Sequence, residues 1–330
     1  GASDRFALRE LSDHTRIDTH FEHKVRDYRC PIDVGPDDKA LRGIHARGLG
    51  VLKGHLKVTP SSPNADQGLP ESAPRLGIFK QPDAEFAVVL RYSTSGGPKF
   101  EAMPDHDEEQ AIGLGLKILS AEGSTAHDLL FINSPIFMTN DPVELVFQDD
   151  ASSLRESYAA SRQEAVSDAL DETQFSASAF AWGTKRAVKY RLRPLQRAEH
   201  ALSAEHREAY LALGKGRGPR FLEARITHVF QVATEPLRFA LEVQFSDPEH
   251  VESHGAPIDD ERIEWKTTWY ELGVIALPRQ ETERGEDLAF HPFHVSDAGL
   301  LPLGRLNRAR LTSYARSRDV RHSVNDVEAT

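Results

Sequence analysis

Arg310 and Tyr314 stand four residues apart in GRLNRARLTSYARSRDVRH, and Arg42 and His45 three apart in LRGIHARGLG. A phenol is a poor iron ligand until it loses its proton, which an unperturbed tyrosine does only at a pH of about 10. On a helix, a cation four residues earlier lies against the phenol oxygen and favours the charged form. Arginine suits that place because it keeps its proton even when buried. A neutral imidazole such as that of His45 can take a proton from one atom and return it to another near neutral pH. The two segments thus offer an anionic oxygen ligand and a general acid–base.

The elements that must position these groups can be read from spacing. Leu303, Leu306, Arg310, Tyr314, Ser317 and Arg321 recur at intervals of three and four and form one stripe of a helix. Two arginines and a tyrosine on that stripe fit a helix facing something anionic or metallic; an arginine-rich surface helix has the same pattern. Strict alternation over Phe86–Thr94 predicts a strand with Arg91 and Ser93 on one face and Phe86, Val88 and Leu90 on the other.

Several separated segments carry a family resemblance, in order: RGIHARG, VVLRYSTSGG, QAIGLGLKIL, LLFINSPIFMTNDP, LRFALEVQFSDPEH, IEWKTTWYELGVIALPRQ, and HPFHVSDAGLLPLGRLNRAR running into RARLTSYARSRDVR. In that order and spacing they resemble the haem-dependent catalases, and among them the small catalase-related (catalase-like peroxidase) type. The resemblance spans about residues 40 to 322 and omits mainly the helical middle. It implies haem b, with Tyr314 as the iron ligand and Arg310 holding it as phenolate. It implies that His45 is the distal histidine and that Ser93 orients it. Arg42, Arg91 and Arg321 match positions that bind haem propionates, where guanidinium suits bidentate hydrogen bonds.

The family pattern is broken in two places. Its distal asparagine stands three residues before the proline of FINSP, with a second one following; here those positions hold Ile132 and Asn133. A one-residue shift on a strand turns a side chain to the other face, so Asn133 serves in catalysis if the strand bulges or slips, and is otherwise a structural amide. The aromatic expected after Asp-Pro is Leu145, with Phe147 nearby as a substitute. Ile44, beside the histidine, is apolar as in catalases rather than threonine as in allene oxide synthases.

The resemblance implies a peroxidase or catalase-like enzyme acting on hydrogen peroxide or organic hydroperoxides, with an organic electron donor as partner. Alternatives are an enzyme transforming a lipid hydroperoxide or another organic substrate, and a non-catalytic haem-binding protein. Homo-oligomerisation is a further expectation.

Composition bounds the rest. A chain of 330 residues, 39 % hydrophobic, can bury a large core as one domain. A net charge of −11 with dispersed basic residues argues against a nucleic-acid surface. No apolar run reaches membrane-spanning length. The single cysteine, Cys30, admits no intrachain disulfide, which points to a reducing, cytoplasmic compartment. The expected organisation is an N-terminal arm (1–40), a haem-binding domain (41–322) and a tail (323–330). Its fold class is α+β, an antiparallel β-barrel with flanking helices and a C-terminal proximal helix.

Strands are expected at 44–58, 86–94, 111–119, 128–137, 187–194, 222–233, 237–246 and 263–277, and helix over 143–182. The glycines of 44–58 suggest a strand passing close to a flat ligand. His14, His20 and His23 lack a completing zinc pattern, GKGRGPR reads as a loop, and Trp265 and Trp269 as packing residues.

Overall fold

The computed structural model describes residues 14–19, 42, 44–60, 69, 73–95, 111–147, 166–215, 218–247, 257–285 and 287–325. Its centre is an antiparallel barrel built from β1 (Gly48–Val58), β2 (Glu85–Thr94), β3 (Ile112–Leu119), β4 (Thr125–Ile132), β5 (Gln174–Phe175), β7 (Arg186–Pro194), β8 (Leu237–Phe245) and β9 (Trp269–Leu277). β6 (Phe180–Trp182) pairs alongside β7 as a ninth strand. The sheet runs β5-β4-β3-β2-β1-β9-β8-β7-β6, and the β5–β7 pairing closes the eight-stranded ring. Closure removes the open edges that an antiparallel sheet would otherwise expose.

Period-two patterning fills the interior. In β1, Leu52, Leu56 and Val58 are buried while Lys53, His55 and Lys57 point to solvent. Val88, Leu90 and Tyr92 of β2 and Leu114, Leu116 and Ile118 of β3 join the same core. The opposite face of these two strands carries Arg91, Ser93, Gly113 and Gly115, which are free to serve a site outside the barrel.

Among the described residues, the helices packed around the barrel include α1 (Pro142–Phe147), α2 (Ala204–Lys215), α3 (Phe221–Val232) and α4 (Gly304–Val324). A helical turn at 14–19 lies against α4, where Thr312 and Ser313 both donate to the Asp18 carboxylate at 3.1 and 2.8 Å. α4 runs two residues past the expected domain end at 322. No helix among the described residues is long and apolar enough to cross a membrane.

Four expectations are corrected. Residues 222–233, expected as strand, form α3. The β-branched Ile226, Thr227 and Val229 favour a strand reading, but the buried Leu222, Ile226, Val229 and Phe230 recur at a helical interval. The helix expected over 143–182 is confined at its described start to α1, and the described residues after 166 turn into β5 and β6. The strand expected at 128–137 lies earlier, at Thr125–Ile132, before the turn at Asn133–Ile136.

Gly50 and Gly54 of β1 face protein rather than open space for a flat ligand. A Cβ at Gly54 would overlap the Ala276 carbonyl of β9, and one at Gly50 would lie 2.9 Å from Ile226 of α3. Their missing side chains let the barrel close and α3 dock.

Most of the arm (1–40) falls outside the described residues, as do His20, His23 and Cys30. Among the described residues, no group of three or more His, Cys, Asp and Glu side chains converges as a metal site.

Candidate active site

A cavity of about 290 Å³ opens between the outer face of β2–β4, the segment around Phe290, α1 and α4. His45, Ser93, Arg91 and Arg42 line it together with Arg310, Tyr314 and Arg321. His45 and Tyr314, 269 positions apart in sequence, are thereby gathered at one place. The helix stripe read from spacing faces it too: Leu306, Arg310, Tyr314, Ser317 and Arg321 all contribute.

His45 gets there through an unusual backbone. Its φ of 57° lies in the left-handed region, which costs a non-glycine residue roughly 1 kcal/mol. This bend precedes β1 and brings the imidazole onto β3 over Gly113, where a Cβ would collide with the ring atoms Cε1 and Nδ1. At Gly115 a Cβ would fall 2.9 Å from the Phe290 ring. Gly113 and Gly115 are thus site residues that sequence reasoning missed. The alternation of glycine with Ile112, Leu114 and Leu116 in IGLGLKIL was the available signal, since it leaves one strand face bare.

Ser93 Oγ lies 3.2 Å from His45 Nδ1 and 3.4 Å from the Gly113 carbonyl. With its proton given to that carbonyl, the hydroxyl accepts from Nδ1–H and fixes the tautomer with Nε2 unprotonated. Burial, and then the nearby Arg91 and Arg42, hold the imidazole down to a pKa of about 4. It is therefore neutral across the ordinary pH range.

Arg91 is buried and reaches back to the bend, donating to the His45 and Ala46 carbonyls at 3.2 and 3.3 Å and to Arg284 at 3.3 Å. Arg42 donates to the carbonyls of Leu288 and Gly285, and Arg321 to that of Leu288 at 3.2 Å. The Leu288 carbonyl thus draws two of the matched arginines to one edge of the cavity.

On α4, Arg310 donates to the Tyr314 hydroxyl at 3.3 Å and to Asn307 Oδ1 at 2.8 Å. Asn307 is itself fully buried and bonds the Leu303 and Ala179 carbonyls, so the guanidinium is held from behind. The His291 ring meets Tyr314 edge-on at 6.5 Å and bonds the Leu311 carbonyl through Nε2.

Asn133 is not brought into this group. Its Oδ1 accepts from Ile112 N at 2.9 Å and its Nδ2 points to Glu172 at 3.4 Å, so the amide fastens β4 to β3. Ile132 lines the cavity instead. Leu145 also lines it, while Phe147 packs under the Arg16 guanidinium at 4.6 Å.

No protein-family model matches the chain, and no curated protein matches it in sequence. Solved structures do match in fold. A fungal catalase superposes with a TM-score of 0.66 at 17 % identity, over 88 % of this chain and 62 % of that one. A bacterial catalase gives 0.65 at 17 %, over 88 % and 60 %. Catalase A from Saccharomyces cerevisiae gives 0.66 at 16 %, over 88 % and 64 %. The fold is therefore that of the catalases, and the chain spans less than two thirds of the length of these structures.

Proposed function

We propose that this chain is a haem-dependent, catalase-like peroxidase that reduces hydrogen peroxide and organic hydroperoxides. The observation that carries the reading is that His45 with Ser93 and Tyr314 with Arg310 face one cavity. The donor set fits a haem. Tyr314 supplies an oxygen ligand with a guanidinium on its hydroxyl, Arg42, Arg91 and Arg321 supply cations for two propionates, and Leu306, Ala309 and Phe290 supply apolar wall. When bound, a haem provides the redox iron that accepts oxygen from peroxide.

The chain's own residues do the rest. Arg310 stabilises the phenolate of Tyr314 by a charge-assisted hydrogen bond. His45 Nε2 would take the proton from one peroxide oxygen and return it to the other, which leaves as water or alcohol. Ser93 keeps Nδ1 protonated and so keeps Nε2 available. Asn133 holds β4 against β3 and has no catalytic part in this scheme. Ile44, Ile132, Leu145 and Val146 line the cavity and favour organic hydroperoxides, since they exclude water and offer apolar contact.

The test is the absorption spectrum of protein expressed with haem, before and after cumene hydroperoxide with and without a phenolic donor. A Soret band with a high-spin ferric pattern is expected, along with donor oxidation well above free haem. Tyr314→Phe should lose or shift that band, and His45→Ala should keep it while slowing peroxide reduction at least 100-fold. Consumption of a fatty-acid hydroperoxide without any donor would favour the rearranging enzyme. A Soret band without turnover would leave a haem carrier.

A further inference from the structure

Glu261 stands outside the peroxide chemistry, yet it contributes to the wall of the same cavity. It is 1 % exposed, and neither carboxyl oxygen has a hydrogen-bond partner in another residue, leaving only the group's own backbone N–H beside it. Two cations close by are engaged elsewhere. Lys189 Nζ donates to the Ile263 carbonyl at 2.9 Å, and Arg262 grips Asp260 at 2.9 and 2.7 Å. A buried carboxylate without a partner is strongly unfavourable, so the group adopts the neutral acid form and keeps an O–H with nothing to donate to. Burial first, opposed by the group's own backbone N–H and by Lys189 and reinforced by Asp259 and Asp260, pushes this carboxyl up to about 8, which agrees with that geometry.

Its place along α4 is fixed by Gly304, where a Cβ would lie 3.4 Å from Glu261 Oε1. Tyr314 is ten residues further along the helix, about 15 Å at 1.5 Å per residue. The cavity therefore has a cationic, tyrosine-bearing part and, about half the length of α4 away, a buried acid. Leu306 and Ala309 lie between them on the same helix face and make the intervening wall apolar.

We propose that Glu261 anchors the organic substrate of this site, donating a hydrogen bond to a carbonyl, hydroxyl or hydroperoxide oxygen on a largely apolar molecule. This rests on the reading of the cavity as a site for organic peroxide chemistry and adds what it recognises. Anionic substrates are disfavoured at this end, because Asp259 and Asp260 adjoin the acid.

Binding of acetophenone and of cumene, matched in heavy atoms and differing in an acceptor oxygen, tests the proposal by titration calorimetry on the purified full chain. Acetophenone should bind at least tenfold tighter to the wild type. Glu261→Leu should abolish that preference, and Glu261→Gln, which retains an N–H donor of nearly the same shape, should keep most of it. Equal affinities in the wild type, or a preference unchanged in Glu261→Leu, would overturn the proposal and leave the acid satisfied by water. Should Glu261→Leu fail to fold, loss or retention of the preference in Glu261→Asp, whose shorter arm withdraws the donor, decides. The readout is independent of haem. A preference without a Soret band sinks the peroxidase and keeps the subsite, and a Soret band without a preference does the reverse.

Discussion

The proton transfer proposed for His45 requires an uncharged ring, and three features keep it so. Its ring lies against the bare face of Gly113, two guanidiniums stand close, and the cavity wall covers much of it. An ordinary histidine gains its proton below a pH of about 6.5. This one is held to about 4, with burial as the main cause and Arg91 and Arg42 adding. The depressed value means that the neutral base persists as pH falls through 6.5 and disappears only as pH approaches 4. The rate of peroxide reduction by haem-loaded protein should accordingly be flat from pH 7 down to about 5 and fall with a limb near 4. A stopped-flow pH profile measures this, and a limb at 6 to 6.5 would show that the imidazole is solvated rather than enclosed. The alternation in VVLRYST placed Ser93 and Arg91 on the correct face of β2. The bend at His45, with its positive φ, and the space left by Gly113 were not legible, because the ring's seat depends on β3, where Gly113 is 68 residues away.

At the scale of the element, the seam between β1 and β9 decides whether the barrel closes. Gly54 and Gly273 lie on opposite strands of that seam, and a Cβ on either would strike the other strand. Gly54 would overlap the Ala276 carbonyl and sit 2.7 Å from Leu277 Cδ2, while Gly273 would sit 2.8 Å from Leu56 Cδ1. A backbone carbonyl within a ladder has nowhere to move. Gly54→Ala should therefore destabilise the fold by about 3 kcal/mol or more, as expected of overpacking in a fixed core. Gly218→Ala, where nothing lies within 4 Å, should change stability by less than about 0.5 kcal/mol. Urea denaturation compares the two, and equal midpoints would mean that the seam can spread. From the sequence these glycines suggested room for a flat ligand, since a bare strand face looks alike whether a cofactor or another strand fills it. The barrel and the last helix were legible because β1, β2, β3 and α4 each keep one period throughout. α3 was not, because its β-branched residues at Ile226, Thr227 and Val229 spoke for a strand while its burial at 222, 226, 229 and 230 follows a helix.

Across the whole molecule, buried ionisable groups on separate elements set a pH window for stability. His45 and His127, both held to about 4, weaken the fold most below 6.5, where the unfolded chain takes up protons that the native one refuses. Above 6.5 that uptake, half complete at about 6.5, fades by about pH 7.5, so over this range the histidines oppose the acids. Asp168 and Glu261 act oppositely, for burial raises the first to about 7 and the second to about 8. A raised acid gives stability that is complete below its unfolded value and is lost as pH climbs to its folded one. Between pH 6.5 and 8, with the histidines subtracted, the native chain therefore holds somewhat under one more proton than the unfolded chain. At about 1.36 kcal/mol per proton per pH unit, roughly 1–2 kcal/mol is lost over that interval. Lys189, lowered to about 8 chiefly by burial, opposes this only at the upper end. With an unfolding entropy of about 2.1 cal/mol/K per residue, the melting temperature of haem-free protein should fall by about 2 °C from pH 6.5 to 8. Glu261→Gln cannot titrate and should remove more than half of that fall, which differential scanning fluorimetry at constant ionic strength resolves. A melting temperature that holds steady or rises across the interval would mean that the carboxyl of Glu261 is already ionised in the native protein, and with it the donor on which an acceptor-bearing substrate would depend.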